Sequence, residues 1–411
     1  MMARLTYPRA GMLNSADTRR SVAFAIAALM VYLASFEVIQ KRPNHLPGMS
    51  QTHFVMLADA FLHGRLHLNA EQAKGLTELI PDGRGGYGVV YPPMPAVMLI
   101  PFVAVFGAHF PAWVFSIGLG ACCVGLMYRL LRQMRFNSSV SAWVTGLFGF
   151  GTSFWYTALA GSPWFLAHIA ATFFLVLALL EAYGARRMWL TGMYLGAATL
   201  SRLPVLFAVA FFLWLLRRER IATPGRVAAL LCGLGLFIGL DVAYDWVRFG
   251  VLDAGYDLIP GVLNEPWYRE NIFSLSYLPR NVYALLFQSP VLINAFPYLV
   301  PTTFGLSLFF TTPAFLLMFL APGDSLTYAS ALTAGLVAIP SLLHGWPGGA
   351  QFGYRFSLDY TPLLLLLVAQ GLRGCVSPRA QVLIVLSCAV SVWGLLFATW
   401  IPPAWLFPLP S

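Results

Sequence analysis

The sequence predicts an all-α, polytopic transmembrane protein, and three observations carry that prediction. Of 411 residues, 59% are hydrophobic and 10% charged, less than half the roughly 25% charged content of soluble domains. Apolar runs of bilayer-spanning length recur from residue 21 to residue 405, with no polar block large enough for a separate soluble domain. Lysine and arginine gather in short segments between the runs, as cytoplasmic loops do. The chain therefore reads as one membrane domain, residues 1–411, with two long loops, 39–92 and 247–300.

The N-terminus, "MMARLTYPRAGMLNSADTRR", carries four arginines and is assigned to the cytoplasm; the run from Ser21 to about Val38 lacks a small-residue cleavage site and is a retained first span. After the first long loop, "PAVMLIPFVAVFG" is membrane-associated and residues 111–131 form span 2, which "RLLRQMRF" ends on the inner side. Span 3 (about 139–158) and span 4 (about 164–183) turn at "AGSP". The stretch "WLTGMYLGAATLSRLPVLFAVAFFLWLLRRER" has arginines at both ends, so "SRLP" is read as an outward turn between spans 5 and 6, with Pro204 breaking the helix and Arg202 near the outer surface. The alternative is one long helix with a snorkelling arginine. Spans 7 (about 227–246), 8 (about 304–321), 9 (about 327–343), 10 (about 358–372) and 11 (about 381–400) complete a set of about 11, with the C-terminus outside.

The surplus of 25 Lys and Arg over 16 acids fits topology and contact with membrane lipid. Nucleic acid is excluded as a partner, since no basic run is interleaved with stacking aromatics. Cys122, Cys123, Cys232, Cys375 and Cys388 lie in or beside apolar runs, which implies neither a disulfide framework nor a cysteine metal site.

Polarity concentrates in the outer segments. In "MSQTHFVMLADAFLHGRLHLNAEQ", residues 49–72, Phe54, Leu57, Ala58 and Phe61 share one side of a helix at about 100° per residue, with Thr52, Asp59 and His63 opposite. Such a helix lies on the membrane surface, its polar face either solvated or offering acid/base groups at headgroup level. Glu71, Lys74 and Glu78 form a second polar stretch.

The order of several motifs resembles the GT-C superfamily of integral membrane glycosyltransferases, which includes protein mannosyltransferases and lipid A aminoarabinose transferases. The matching pieces are "HFVMLADAFLHGRLHL", "YGVVYPPMPAVMLIPFVAVFG", "GAATLSRLPVLFAVAF", "RFGVLDAGYDL", "FSLSYLPRNVYALLFQSP" and "WPGGAQFGYRFSLDYTPLLLLLVAQGL". The resemblance implies a multi-pass protein of the plasma (inner) membrane that takes a sugar from a polyprenyl-phosphate sugar and passes it, with inversion, to an extracytoplasmic acceptor. It also implies a base from an acidic pair just before the surface helix, where this chain has Ser50 and Gln51. The expected substitutes are Asp59 on the polar face, His53 with a pKa near working pH, and Glu37 at the outer end of span 1, each of which also has an ordinary interfacial role, Glu37 by pairing with Lys41.

A leaving phosphate needs fixed cations. Arg355 in "FGYRFSLDY" is the first candidate because its planar fork suits phosphate and a glycine-rich loop adjoins it; its alternative is an i,i+4 pair with Asp359. Arg202 follows, then His344 and Arg280. Tyr91, Trp267, Tyr268 and Trp346 offer faces for a sugar or acceptor and equally fit an aromatic belt. Asp241 and Asp245 lie near the outer end of span 7, where Asp245 is expected to pair with Arg248. His45, His53, His63 and His67 lack metal-ligand spacing, so no metal or other cofactor is implied, a divalent ion staying open. Two rival functions stand beside the transferase. A lipid-linked-sugar flippase or transporter would want polar residues deep in several spans, and a non-catalytic relative that binds lipid-linked sugar would account for Ser50 and Gln51.

Overall fold

The computed structural model describes residues 14–40 and 50–397, apart from 253, 269, 295, 303 and 350. Six helices are long and apolar enough to cross a bilayer: Ser15–Gln40, Ala112–Gln133, Pro163–Tyr183, Pro224–Phe249, Ser325–Leu343 and Pro378–Phe397. The protein is an all-α polytopic membrane protein. Besides helices, the described residues hold two antiparallel ribbons, Leu79–Pro81 with Tyr87–Val89 and Val291–Leu292 with Leu299–Val300. All five cysteines are free thiols.

The other five expected spans are short or interrupted, so the count of about 11 reduces to six of full length. Span 3 divides into Ser138–Phe150 and Phe154–Ala160, where the Thr152 hydroxyl donates to Phe148 O (2.8 Å) and accepts from Phe154 N (3.2 Å), closing one helix and opening the next. Span 8 becomes Leu308–Thr311 and a 3-10 segment, Pro313–Leu320. Pro313 has no N–H to continue the first piece, and Ser387 Oγ from a neighbouring helix accepts the freed Ala314 N–H at 3.0 Å. Span 10 shortens to Thr361–Gly371.

Residues 200–202 interrupt the arginine-flanked stretch, as the hairpin reading expected of "SRLP". Met188–Thr199 packs on Pro163–Tyr183 and Pro224–Phe249, whereas the following Leu203–Ala208 and Val209–Arg218 pack on Ser325–Leu343. Contact with Pro224–Phe249 is close because glycines meet there. A Cβ on Gly192 would lie 2.1 Å from Leu230 O, and one on Gly233 would lie 2.2 Å from Trp189 O. Where lipid removes the hydrophobic drive for helix association, such backbone approach supplies the packing.

The bundle has two chemically different ends. At one, Arg132 Nε donates to Asp17 Oδ1 (2.9 Å), Gln133 Nε2 to Leu180 O (2.6 Å) and Asn137 Nδ2 to Gly374 O (2.6 Å). At the other end the two long loops fold together. A core separate from that of the bundle lies here, made from Phe54, Val55, Leu57 and Leu68 of the first loop with Leu99, Leu166 and Ala167 of the helices. The helix His53–Leu62 buries the apolar side foreseen from its periodicity, but against protein: it packs on the helix Met94–Phe106. Residues 41–49, including the start of this loop, and 398–400 of span 11 lie outside the described residues.

A Gly233→Val substitution would drive two helices apart. Overpacking of this kind costs roughly 1–3 kcal/mol, and the detergent-purified variant is expected to melt several degrees below wild type in a thermal-shift measurement.

Candidate active site

The site begins with a strained glutamate. Gln51 Oε1 accepts from Thr77 N (3.0 Å) and Thr77 Oγ1 (3.2 Å), and Gln51 Nε2 donates to Gly75 O (3.1 Å). From the other side His53 Nε2 donates to Thr77 O at 2.6 Å. Held by this clamp, the next residue, Glu78, has φ of +54°, a left-handed conformation that costs a non-glycine residue of order 1–3 kcal/mol and clusters at functional sites. The His53 ring is buried, and burial lowers its pKa from 6.5, so the ring is neutral and Nε2 carries the proton.

Three aromatic donors meet on one oxygen of Glu78. Oε2 accepts from the Tyr91 hydroxyl, from Trp164 Nε1 (2.9 Å) and from the Tyr256 hydroxyl (3.1 Å). Each donor has its own positioning. Tyr91 follows the ribbon strand Tyr87–Val89. Trp164 opens the helix Pro163–Tyr183, after a turn at Gly161 with φ of +65°, where a Cβ would lie 2.5 Å from the Trp113 backbone. Tyr256 is brought in by Arg248, whose Nη1 donates to Val89 O (2.8 Å) and Nη2 to Asp245 Oδ1 (2.6 Å), while Asp245 Oδ2 accepts from Ala254 N (2.8 Å). Burial, then neighbouring phenol and Glu78 charges, pushes the Tyr91 hydroxyl well above its ordinary pKa. Burial followed by the Glu78 charge does the same to Tyr256, so both phenols stay protonated as donors. Glu78 Oε1 receives no hydrogen bond from a described residue, and Glu78 lines a cavity of about 460 Å³.

A cation is also buried within reach of the Glu78 charge. Arg355 is 5% exposed, its Nε is buried without a hydrogen-bond partner, and its guanidinium stands over the Phe165 ring at 4.8 Å. The alternative pairing with Asp359 does not form, because Asp359 is taken elsewhere: Oδ1 accepts from His168 Nδ1 (2.7 Å) and Oδ2 from Arg202 Nε (3.2 Å). Burial and then the Arg202 charge lower the Arg355 pKa to about 10, while Glu78 pulls the other way. The hydroxyls of Tyr156, Tyr354 and Tyr360 and Nε2 of His168 are also buried without partners. A buried cation and buried polar atoms without partners are costly to leave so.

His344 joins the two sides. Its Nδ1 is bonded to the Trp346 backbone at 2.9 Å, and its ring stands edge-on to Tyr256 (6.1 Å) and Tyr268 (5.8 Å). Burial lowers its pKa to about 4, with the charges of Arg202, Arg280 and Glu78 acting on it. Trp346 is 4.2 Å from Trp267. Arg280, on the exposed rim, donates to Gly345 O and lies over Tyr277.

The structure thus gathers Arg355, Arg202, His344, Tyr91 and Tyr268 around Glu78, with Trp267 and Trp346 beside them. Of the three expected bases it brings His53 beside Tyr91, at 5.4 Å between rings, while Asp59 and Glu37 are placed differently. Asp59 Oδ2 is occupied by Gln72 Nε2 at 2.7 Å, and His63 Nδ1 lies 3.7 Å from its Oδ1. His53 serves the clamp, and Glu37 is exposed on its helix, with Lys41 outside the described residues. Sequence reasoning passed over Glu78, Trp164, Tyr256 and His168. The available signal for Glu78 was its setting in "LTELIPDG", an acid between an aliphatic run and a glycine turn. Among the described residues no group of three or more His, Cys, Asp or Glu side chains is placed to hold a metal ion.

No protein-family model matches the chain, and no curated protein matches it. Among solved structures it is similar to a protein O-mannosyltransferase complex of S. cerevisiae bound to the sugar donor, at 16% identity and a TM-score of 0.38, over 59% of this chain. The chain spans 35% of the length of that structure.

The clamp makes stability depend on His53. Its folded pKa lies below the unfolded value near 6.5, so between the two values the unfolded chain binds the extra proton. The contribution is full above about pH 6.5 and lost as pH falls toward the folded value. Melting temperatures of wild type are therefore expected to drop from pH 7.5 to 5, and the drop to shrink in His53→Gln, whose amide can still donate to Thr77 O.

Proposed function

We propose that the chain is a membrane glycosyltransferase of GT-C type that moves a sugar from a polyprenyl-phosphate-linked donor to an acceptor hydroxyl. The observation that carries this reading is the combination of Glu78, one oxygen of which is held by three donors while the other accepts from no described residue, with Arg355, a buried cation whose Nε has no partner. The motif resemblance agrees with it. A non-catalytic relative was a rival because Ser50 and Gln51 stand where the family's acids would, and Glu78 supplies the missing carboxylate.

In the proposed reaction the acceptor hydroxyl lies against Glu78 Oε1. Its oxygen attacks the anomeric carbon, its proton passes to Oε1, and the bond from that carbon to the phosphate oxygen breaks with its electron pair on the phosphate. Attack from one side with departure from the other inverts the anomeric configuration. Locking Oε2 fixes the direction of Oε1, and general-base transfer from such a position contributes about 10²–10⁴ in rate. Negative charge grows on the departing phosphate, where Arg355 faces it, with Arg202 held by Asp359 as a second cation.

The same reading puts the site on the extracytoplasmic side of the plasma (inner) membrane, with the N-terminus inside. Support comes from the arginine-bearing end of the bundle, marked by Arg132 and its pair with Asp17, which lies opposite the end where Trp164 meets Glu78.

Release of polyprenyl phosphate from a panel of labelled polyprenyl-phosphate sugars by purified protein in lipid tests the proposal. Glu78→Gln and Arg355→Ala are each expected to lower the rate by about 10²-fold or more. Asp59→Asn, whose carboxylate already serves Gln72, is expected within about threefold of wild type. Wild-type turnover in Glu78→Gln would sink the assignment of the base.

A further inference from the structure

The second long loop contains a segment built the wrong way round for water. From residue 273 to residue 298 the sequence "FSLSYLPRNVYALLFQSPVLINAFPY" has one charged residue, Arg280, and no acid. Its short helix, Leu278–Leu286, buries Asn281 completely, together with Ala284, while Leu278 and Tyr283 are exposed. Exposed apolar side chains continue on both sides of that helix, with Phe273 and Leu275 before it and Phe287, Leu292, Phe296 and Tyr298 after it. Leu275 is 76% and Leu292 80% exposed, a cost in water that apolar side chains of this size avoid by packing. The first loop, at the same end of the molecule, is the contrast: there Glu71, Lys74 and Arg84 are exposed.

Two contacts set the depth of the segment. Asn281 Nδ2 donates to Leu342 O (2.9 Å) and His344 O (2.8 Å), so the short helix lies beside the last turn of the bilayer-length helix Ser325–Leu343. The Phe296 ring stands 5.7 Å from that of Phe397, at the end of the helix Pro378–Phe397. Both helices expose apolar side chains of their own, Ile339 on the first and Val385 on the second, and the bilayer covers these. The segment thus adjoins the lipid-covered surface at two points. An outward apolar face whose polar side chain is turned inward gains by leaving water for lipid, and tyrosines at such a boundary keep their hydroxyls at headgroup level.

We infer that residues 273–298, 295 apart, form a lipid-docking surface. The outward face of Leu278–Leu286 and the ribbon strand Val291–Leu292 sink into the acyl-chain boundary of the leaflet at the loop end, and the occupant of the apolar face is phospholipid. The same segment carries part of the candidate site. Ser274 N donates to Leu343 O (2.9 Å), Gly345 N to Ile272 O (2.8 Å) and Arg280 to Gly345 O, so the stretch bearing His344 and Trp346 hangs from it. Seating the segment in lipid holds that stretch at headgroup level, where the phosphate of a lipid-linked substrate lies; this consequence rests on the proposed function, whereas the seat itself does not.

The test uses the full-length protein in phospholipid nanodiscs and two reagents read by peptide mass spectrometry: a phospholipid with a diazirine on its acyl chain, and hydroxyl radicals generated in the water. Photolabelling of Leu275, Phe287 and Leu292 is expected within about threefold of that of Val385, with Lys74 and Arg84 unlabelled. Oxidation of Phe287, Phe296 and Tyr298 is expected about tenfold below that of the same residues in a synthetic peptide of sequence 273–298 held in urea. Oxidation at the peptide's rate without photolabelling means a water-facing loop and overturns the inference. Protection from both reagents means that protein covers the face, a second copy or another part of this chain, and overturns it equally. In the double variant Leu292→Asp with Phe296→Asp, oxidation of Tyr298 is expected to rise about fivefold or more while Val385 stays photolabelled, the sign that the bundle is intact. Unchanged oxidation of Tyr298 in that intact variant overturns the seat, and should the variant not fold, the wild-type labelling decides.

Discussion

Everything at the loop end of the molecule depends on one carboxylate oxygen. Glu78 Oε2 is the point where the first loop (Tyr91), a membrane helix (Trp164) and the second loop (Tyr256) meet. Hydrogen bonds to a charged acceptor contribute about 1.5–3 kcal/mol each, enough together to hold three segments that are distant in sequence. They also impose a geometry. With all three donors on Oε2, the side chain cannot turn about its axis, and Oε1 is aimed by the fold.

Opposite this fixed anion, the charges of the bundle are arranged unequally. Asp359 is spent on His168 and Arg202, so the second arginine, Arg355, enters the buried region with no carboxylate of its own. Replacing the Asp359 pairing by one with Arg355 would satisfy the protein and close the site. The observed arrangement leaves the cation without a carboxylate partner, and places it where the Glu78 charge is felt without a direct pair.

How much of this was legible follows from what each feature depends on. Six long helices were readable because a run of about 20 apolar residues spans a bilayer whatever surrounds it. The breaks at Thr152 and Pro313 were not, since hydropathy averages across them and the groups that close them include Ser387, which comes from far along the chain. Arg355, Arg202, His344, Tyr91 and Tyr268 were nameable because polar and aromatic residues stand out in apolar sequence. Asp59 drew attention for the same local reason, its place on a helix face, but its partner Gln72 folds back from a later turn. Nothing in the sequence near Glu78 shows that Gln51 reaches Thr77.

On the proposed reading, that last contact explains why a site can be displaced in sequence and not in space. Alignment by motif puts the expected acids at positions 50 and 51, and the chain has Ser50 and Gln51 there. The Gln51 amide, however, bonds to the residue next to Glu78, so a carboxylate 27 residues later (78 against 51) stands beside the position left vacant. Delivering it from that direction requires the chain to double back through Gly75, with φ of +79°, and to hold Glu78 at φ of +54°. Such a conformation persists only where surroundings over-determine it, and here Gln51 and His53 grip the backbone before Glu78 while three donors grip its side chain. The strain is thus the physical consequence of bringing a carboxylate to this place from a later part of the loop, and the clamp is what makes that route stable.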